Sequence, residues 1–357
     1  MKLVIILASM SRAGIDFFQS LLDRHTQISQ LPGKFFIDEF LHSIKNIETA
    51  EQIGEKFIKD HEEYFDSKIN LRERHDKLGE NKDESFYVNK FDFLKNFTKL
   101  LGKDIKDKKK IIFSINLAYS KASGEDISKK KIIVINVHHL HRIESIADLE
   151  FEILCTTRDP IASFTSYVKH WGIKNNFSNY NPWKFYYHLN RCLYGLAKLT
   201  MLKKKIMVIR LEDLHKNNLL VMKNVCRNLN INYEKELSIS SYHGKKWWGD
   251  FISTKDLNGV NPEFENKISQ NLFFKKDIFF IEKKLKNFYQ KYDYPIRSAR
   301  NYSIFMFLPF KFELILLFKN IMKLNFKHIF FCLYFYLIRI LRINKNDLDL
   351  NNYPIKM

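Results

Sequence analysis

Four short apolar runs, each followed by a helix-like stretch, limit what this chain can fold into more than any other feature. They lie at 3–8, 131–137 (KIIVINV), 151–156 (FEILCT) and 205–210 (KIMVIR). Each is rich in Ile, Val and Leu and strand-like in length. Continuous apolar runs that alternate with helices read as buried parallel strands of an α/β sheet. The stretch 35–110 reads instead as a mainly helical insertion over the sheet, its charge runs (KDIKDKKK) forming solvated faces. The expected architecture is a three-layer α/β domain over 1–300, with a central parallel sheet and a phosphate-binding turn, and a helical appendage over 301–357.

At 357 residues the chain is long enough for a full core. Lys and Arg total 59 against 40 Asp and Glu, a net charge of +19. A basic surface of this kind attracts nucleic acid, anionic lipid or a polyanionic small ligand. Lys, Asn, Ile and Phe are abundant together, so the charge follows a general bias and does not choose among these; no nucleic-acid partner is expected. Cys155, Cys192, Cys226 and Cys332 lie far apart without a CxxC pair. That argues against a zinc ribbon and a disulfide framework and fits a reducing compartment. The opening MKLVIILASM runs straight into a loop motif and does not read as a signal peptide, which places the catalytic part in the cytoplasm.

The first run ends in SMSRAGID, a small-residue turn ahead of an amphipathic segment. In such a strand–turn–helix, backbone N–H groups and the helix dipole point at an anion. Gly14 allows close backbone approach, Ser9 and Ser11 add hydroxyls, and Arg12 is the main positive charge of the turn. A Walker loop needs Lys and then Ser or Thr after its last glycine, to bridge phosphates and bind Mg²⁺. Ile15 and Asp16 occupy those positions. The turn is suited to holding phosphate without a metal.

The stretch SRAGIDFFQSLLDRHTQISQLPG resembles the 5′-phosphosulfate loop of sulfotransferases that use 3′-phosphoadenosine 5′-phosphosulfate (PAPS). Ser11, Arg12 and Gly14 match that family's loop. Ala13, Ile15 and Asp16 replace three hydroxyl-bearing residues. A carboxylate near a phosphate is unfavourable unless a cation offsets it, and Asp16 is alternatively placed to cap the helix. A second stretch, FEILCTTRDPIASFTSYVKHW, resembles the family's 3′-phosphate site: Arg158 ends a strand, Pro160 starts a helix and Ser166 follows eight residues after Arg158. Arg supplies a forked, permanent charge and Ser a neutral donor, and Pro suits a first helical turn. VIRLEDLHKN (208–217) resembles the segment after that helix, with Glu212 and Asp213 in a structural, helix-capping role. GKKWWGD (244–250) resembles the late basic loop, where Lys245 and Lys246 would add charge at the 3′-phosphate and Trp247 or Trp248 would stack on adenine or acceptor. The resemblance covers about residues 3–295 and implies PAPS as cofactor, with no metal.

Sulfuryl transfer needs an acceptor made nucleophilic, an in-line approach, and donors on the leaving phosphate. IIVINVHHLHRI places His138, His139 and His141 at a strand end. His138 aligns best with the histidine of cytosolic family members, and imidazole titrates near neutrality as a base must. Glu39, in GKFFIDEF, corresponds to the glutamate used by other branches and is the second candidate base. Arg12, with Lys34, would stabilise the leaving phosphate. The acceptor implied is a carbohydrate or glycolipid hydroxyl, or an amine. A P-loop kinase and a non-catalytic nucleotide-binding or membrane module remain as alternatives.

Over 302–342 aromatics are dense, and Lys311, Lys319, Lys323, Lys327, Arg339 and Arg342 face one acid, Glu313. No stretch reaches the roughly 20 uninterrupted apolar residues of a spanning helix. Basic residues among Phe, Leu and Tyr suggest a segment lying on an anionic membrane, peripheral to its inner face. The other reading is a helical pair packed on the domain.

Overall fold

The computed structural model describes residues 1–71, 73–170, 188, 191, 199, 202–251, 256–257, 259–266, 272–298, 300–305, 307–343 and 355–356. The four apolar runs are strands: β1 (Lys2–Ala8), β3 (Ile132–His138), β4 (Glu152–Thr157) and β5 (Ile206–Arg210). Their interiors are buried on both faces, which is why they carry no polar alternation. A further strand, β2 (Ile28–Lys34), pairs with β3. Its sequence ISQLPGK contains Pro and Gly, tolerable because β2 lies at the sheet edge and its register shifts between Gln30 and Lys34. The order is β2-β3-β1-β4-β5, all parallel, with Ile355–Lys356 adding a short parallel strand beyond β5.

This is an α/β fold with helices flanking a parallel sheet. The chain leaves β1 toward β2 on one side and leaves β4 toward β5 on the other. Such divergence opens a crevice at the strands' carboxyl ends, the usual ligand position in open α/β sheets.

The insertion is helical in two parts and irregular between them. Helices α2 (Ile37–Ser43), α3 (Ala50–Asp60) and the one-turn α4 (Glu62–Phe65) precede a looped stretch. That stretch is closed by isolated bridges between Asp66 and Tyr87 and between Leu78 and Glu84. Helices α5 (Lys90–Leu101) and α6 (Lys108–Ala122) follow. Within 35–110 the described residues 70–71 and 73–89 form no helix, and their hydrogen bonds run to turns and side chains. Side-chain oxygens of Thr49, Asn89 and Asp107 accept backbone N–H bonds at the starts of α3, α5 and α6. Phe57, Phe65 and Phe93 meet with ring centroids 5.1–6.2 Å apart, seating the insertion on its own core. Ser29 ties β2 to α6 through the carbonyl of Asn116 at 3.0 Å and the hydroxyl of Ser120 at 2.8 Å. These anchors hold Tyr64 and Glu73 over the crevice.

The appendage is a helical hairpin, Lys311–Met322 and Phe326–Ile343, docked on the helix Lys275–Lys284. Among the described residues no helix is long and apolar enough to cross a membrane.

Candidate active site

A cleft of about 940 Å³ opens at the carboxyl ends of β1, β3 and β4. Its floor is the turn after β1. Ser9 fastens this turn to β4: its N–H donates to Thr156 O at 2.9 Å and its Oγ to Thr157 Oγ1 at 2.9 Å. Arg12 (φ 61°) and Gly14 (φ 76°) take left-handed backbone conformations. At Gly14 the glycine is required twice over, because an added Cβ would lie 2.4 Å from Leu211 Cδ1. Helix α1 (Ile15–Leu21) follows, with Gly14 as its N-cap residue and no side-chain cap. Asp16 is thus not a capping residue. Its carboxylate turns to Lys34 Nζ at 3.5 Å and Asn136 Nδ2 at 3.4 Å.

The second motif reaches the same turn. Asp159 caps α7 (Pro160–Val168) by accepting from Ala162 N–H at 2.9 Å, and its other oxygen accepts from Arg297 at 2.8 Å. Arg158, just before the cap, donates through Nε to Asn266 Oδ1 at 3.0 Å and through Nη1 to the Arg12 carbonyl at 3.3 Å. Glu212 steadies this arrangement from behind, accepting from Asn266 at 2.6 Å, the Asp159 N–H at 3.0 Å and Tyr294 OH at 3.2 Å. It does not cap the helix Leu211–Lys216, whose N-cap residue is Arg210 and which has no side-chain cap. Ser166, one face further along α7, accepts from Arg12 Nε at 3.3 Å. Two motifs 154 residues apart are therefore joined by direct contact, with Arg12 and Arg158 both lining the cleft.

Arg191 is a third guanidinium that the motifs did not reveal. It donates to Ala8 O at 2.9 Å, Ser11 Oγ at 3.3 Å and His138 O at 3.3 Å, bridging the ends of β1 and β3. It comes from a stretch without a strand or turn signature, so only its charge could have flagged it.

His138 ends β3 where the β1–β3 register shifts, at φ 58°. Its N–H donates to Asn136 Oδ1 at 3.0 Å, fixing this turn. Nδ1 has no hydrogen-bond partner and lies 3.9 Å from Asp16 Oδ1. Burial, reinforced by Lys34, Arg191, Arg12 and Arg142, drives its pKa well below the ordinary imidazole value. At neutral pH the ring is neutral. His139 packs edge-on against it at 4.7 Å and also lines the cleft, while His141 lies in the 3₁₀ turn Leu140–Ile146.

Opposite the arginines stands an acidic wall. Asp16, Glu73 and Asp250 present carboxylate oxygens within 4.8 Å of one another, the spacing of a cation site. Lys34 already places its ammonium there, 2.9 Å from Glu73 and 3.5 Å from Asp16. Burial alone would lower the Lys34 pKa, but Asp16 and Glu73 hold it above the usual lysine range. Glu73 is itself pushed up, by burial first and then by Asp16. Asp250 lies 3.5 Å from Arg12 Nη1 and so links the acidic wall to the basic one. Glu73 sits in an irregular segment without a motif, Asp250 closes the GKKWWGD stretch, and only the fold brings both to Asp16.

Three sequence candidates lie elsewhere. Glu39 has a side chain 65% exposed, is paired with Arg142 at 2.8 Å and does not line the cleft. Position i+2 in α2 points its carboxylate outward, and Arg142 holds it there. Lys245 and Lys246 also fall outside the lining; they pair with Glu84 and Glu80 of the irregular insertion loop. The two-residue strands Ser241–Tyr242 and Lys245–Lys246 form a hairpin that aims both lysines at that loop. Of the tryptophans, Trp247 is buried against the cleft with its indole N–H on Glu73 O at 2.7 Å. Trp248 bonds Gly79 O at 2.6 Å and is covered by Lys82 and Lys246.

No protein-family model matches the chain, and no curated protein matches it in sequence. Solved structures do. The sulfotransferase domain from the curacin biosynthetic pathway is 17% identical, with a TM-score of 0.38 over 83% of this chain and 94% of that one. The sulfotransferase domain from the Synechococcus PCC 7002 olefin synthase is 11% identical, with a TM-score of 0.42 over 83% and 95%. Sulfotransferase STF9 from Mycobacterium avium is 12% identical, with a TM-score of 0.37 over 84% and 78%. The functional reading rests on the residues of the cleft and not on these likenesses.

Proposed function

We propose that this chain is a sulfotransferase moving a sulfuryl group from PAPS to a hydroxyl or amine of a carbohydrate or glycolipid acceptor. One observation carries the reading: Arg12 and Arg158, from two distant motifs, meet in one cleft, Ser166 accepts from Arg12, and His138, its Nδ1 without a hydrogen-bond partner, lines the same cleft. A donor with phosphates at both ends of its ribose needs two separate cationic sites, and forked guanidinium groups suit both. In this reading Arg158 and Ser166 hold the 3′-phosphate, while Ser11, Arg12, Gly14 and the adjoining turn hold the 5′-phosphosulfate. His138 Nδ1 accepts the acceptor's proton as the acceptor oxygen bonds to sulfur and the bond from sulfur to the phosphate oxygen breaks. Charge then grows on that phosphate oxygen, and Arg12, with Lys34 nearby, offsets it.

Ile15 and Asp16 fit this donor better than their identities suggest. Ile15 is buried in the core. The Asp16 carboxylate is turned away from the turn toward Lys34, so an anion at Arg12 meets a compensated charge. In this reading the acceptor side is lined by Phe36 and Phe251, with Tyr64 and Trp247 buried behind, and aromatic rings of this kind stack on sugar rings.

Asp16 also supplies the one observation in favour of a non-catalytic nucleotide-binding module, because it leaves a carboxylate at the cleft floor. A transfer assay with labelled PAPS and pooled sugar and glycolipid acceptors separates the two readings. The proposal expects His138→Gln to lower turnover by about 10²–10⁴-fold with adenosine 3′,5′-bisphosphate still bound. Wild-type activity in that variant would remove His138 from the mechanism. Tight bisphosphate binding with no transfer by the wild type to any acceptor would favour the module.

A further inference from the structure

The C-terminal hairpin presents an apolar face to water that the fold does not cover. On the helix Phe326–Ile343 the exposed large side chains are Phe326, Phe330, Leu333, Tyr334, Leu337 and Leu341. At one residue per 100° these six fall within an arc of about 100°, a single stripe along about 24 Å of helix. The stripe is the reverse of what a helix on a water-facing surface presents. It continues over the hairpin tip, where Met322 is 84% and Leu324 72% exposed.

The opposite face fixes this orientation. Arg339, 3% exposed, forms a two-pronged pair with Glu313 at 2.8 Å for each bond and covers the Phe310 ring at 4.3 Å. Phe310 in turn packs edge-on against Phe280 of the helix Lys275–Lys284 at 5.1 Å, and Lys311 N–H donates to the buried Asp277 at 2.9 Å. The hairpin is thus seated on the α/β domain, and its stripe faces outward by construction rather than through a loose tail.

We propose that this stripe docks the protein on the surface of an anionic membrane. Charge complementarity selects that occupant. Lys323 and Lys327 are exposed at the hairpin tip beside the apolar residues, and the only acid in 302–342, Glu313, is already neutralised by Arg339. Apolar side chains at the depth of the acyl boundary with lysines at headgroup level are the arrangement of an interfacial helix. No helix among the described residues is long and apolar enough to cross a membrane, and in this proposal the hairpin lies in the surface.

The test is flotation of the full chain with vesicles of phosphatidylcholine alone or with about one third phosphatidylglycerol, at low and high salt. Binding is expected to anionic vesicles, to fall at least tenfold on neutral ones, and to weaken in Lys323→Glu/Lys327→Glu. Phe330→Asp/Leu337→Asp should abolish it while leaving the circular dichroism spectrum unchanged, since both side chains are solvent-exposed. No flotation with anionic vesicles, or flotation untouched by the double aspartate variant, overturns the proposal. So does a protein that self-associates through the stripe, seen as a dimer by light scattering that Phe330→Asp/Leu337→Asp converts to monomer, with no vesicle binding.

Discussion

The two walls of the cleft are built from the same turn and carry opposite charge. The basic wall gathers Arg12, Arg158 and Arg191, whose hydrogen bonds run to carbonyls and neutral side chains while Arg12 also pairs with Asp250. The acidic wall gathers Asp16, Glu73 and Asp250 around the ammonium of Lys34. Arg12 and Asp16 are four residues apart in one turn, and Asp250 ties the walls together at 3.5 Å from Arg12. Arg12 meets one carboxylate, Asp250, at 3.5 Å, whereas the ammonium of Lys34 is shared between two, Glu73 and Asp16. Under the proposed function a phosphate is received on the arginine side, and the acceptor enters on the side of the carboxylates.

Removing the arginine assigned to the 3′-phosphate has the largest expected effect. Arg158→Ala should weaken adenosine 3′,5′-bisphosphate binding by about 100-fold, the scale of a buried charge-assisted contact of 2–5 kcal/mol. Calorimetric titration measures it, and binding of AMP, which lacks the 3′-phosphate, should change much less. Relieving the acidic wall should act in the other direction. Two unit charges about 4 Å apart interact by about 4 kcal/mol at an effective dielectric of 20, and Lys34 offsets most of that. Asp16→Asn should accordingly raise bisphosphate affinity by about tenfold, and a loss of affinity would show that Asp16 positions Lys34 for the ligand.

A third test uses pH. His75 is fully buried next to this wall, and burial lowers its pKa from 6.5 to about 3. The native state then binds fewer protons than the unfolded chain between those values. Its contribution is present above about 6.5 and is lost as the pH falls toward 3. From pH 7 to 5.5 this one group should cost about 1 kcal/mol of stability, read from denaturant midpoints. A volume-matched apolar replacement, His75→Leu, should flatten that slope; an unchanged slope would assign the acid lability elsewhere. The smallest effect belongs to the hairpin lysines. Lys246→Ala should leave bisphosphate affinity within about twofold, because exposed pairs such as Lys246–Glu80 contribute about 0–1 kcal/mol and this one faces away from the cleft.

The same contrast explains what could be read from sequence. β1, β3, β4 and β5 were legible because strands buried on both faces spell out continuous Ile, Val and Leu. β2 was not, since an edge strand containing Pro32 and Gly33 carries the signature of a turn. On the basic wall, Arg12, Arg158 and Ser166 stand in ordered patterns around a glycine turn and a proline-started helix, so their neighbourhood could be anticipated. Arg191 and the acidic wall could not, because Glu73 and Asp250 enter from irregular loops and meet Asp16 only in three dimensions. Lys245 and Lys246 show the converse. A basic pair after a glycine reads the same whether it faces a phosphate or the glutamates of a neighbouring loop, and only the hairpin's direction decides.

The most direct measurement is calorimetric titration of the full chain with adenosine 3′,5′-bisphosphate, alongside AMP and Mg²⁺-ATP. The account predicts binding that depends on the 3′-phosphate, needs no Mg²⁺ and is lost in Arg158→Ala. Absence of binding, or a preference for Mg²⁺-ATP, would contradict it.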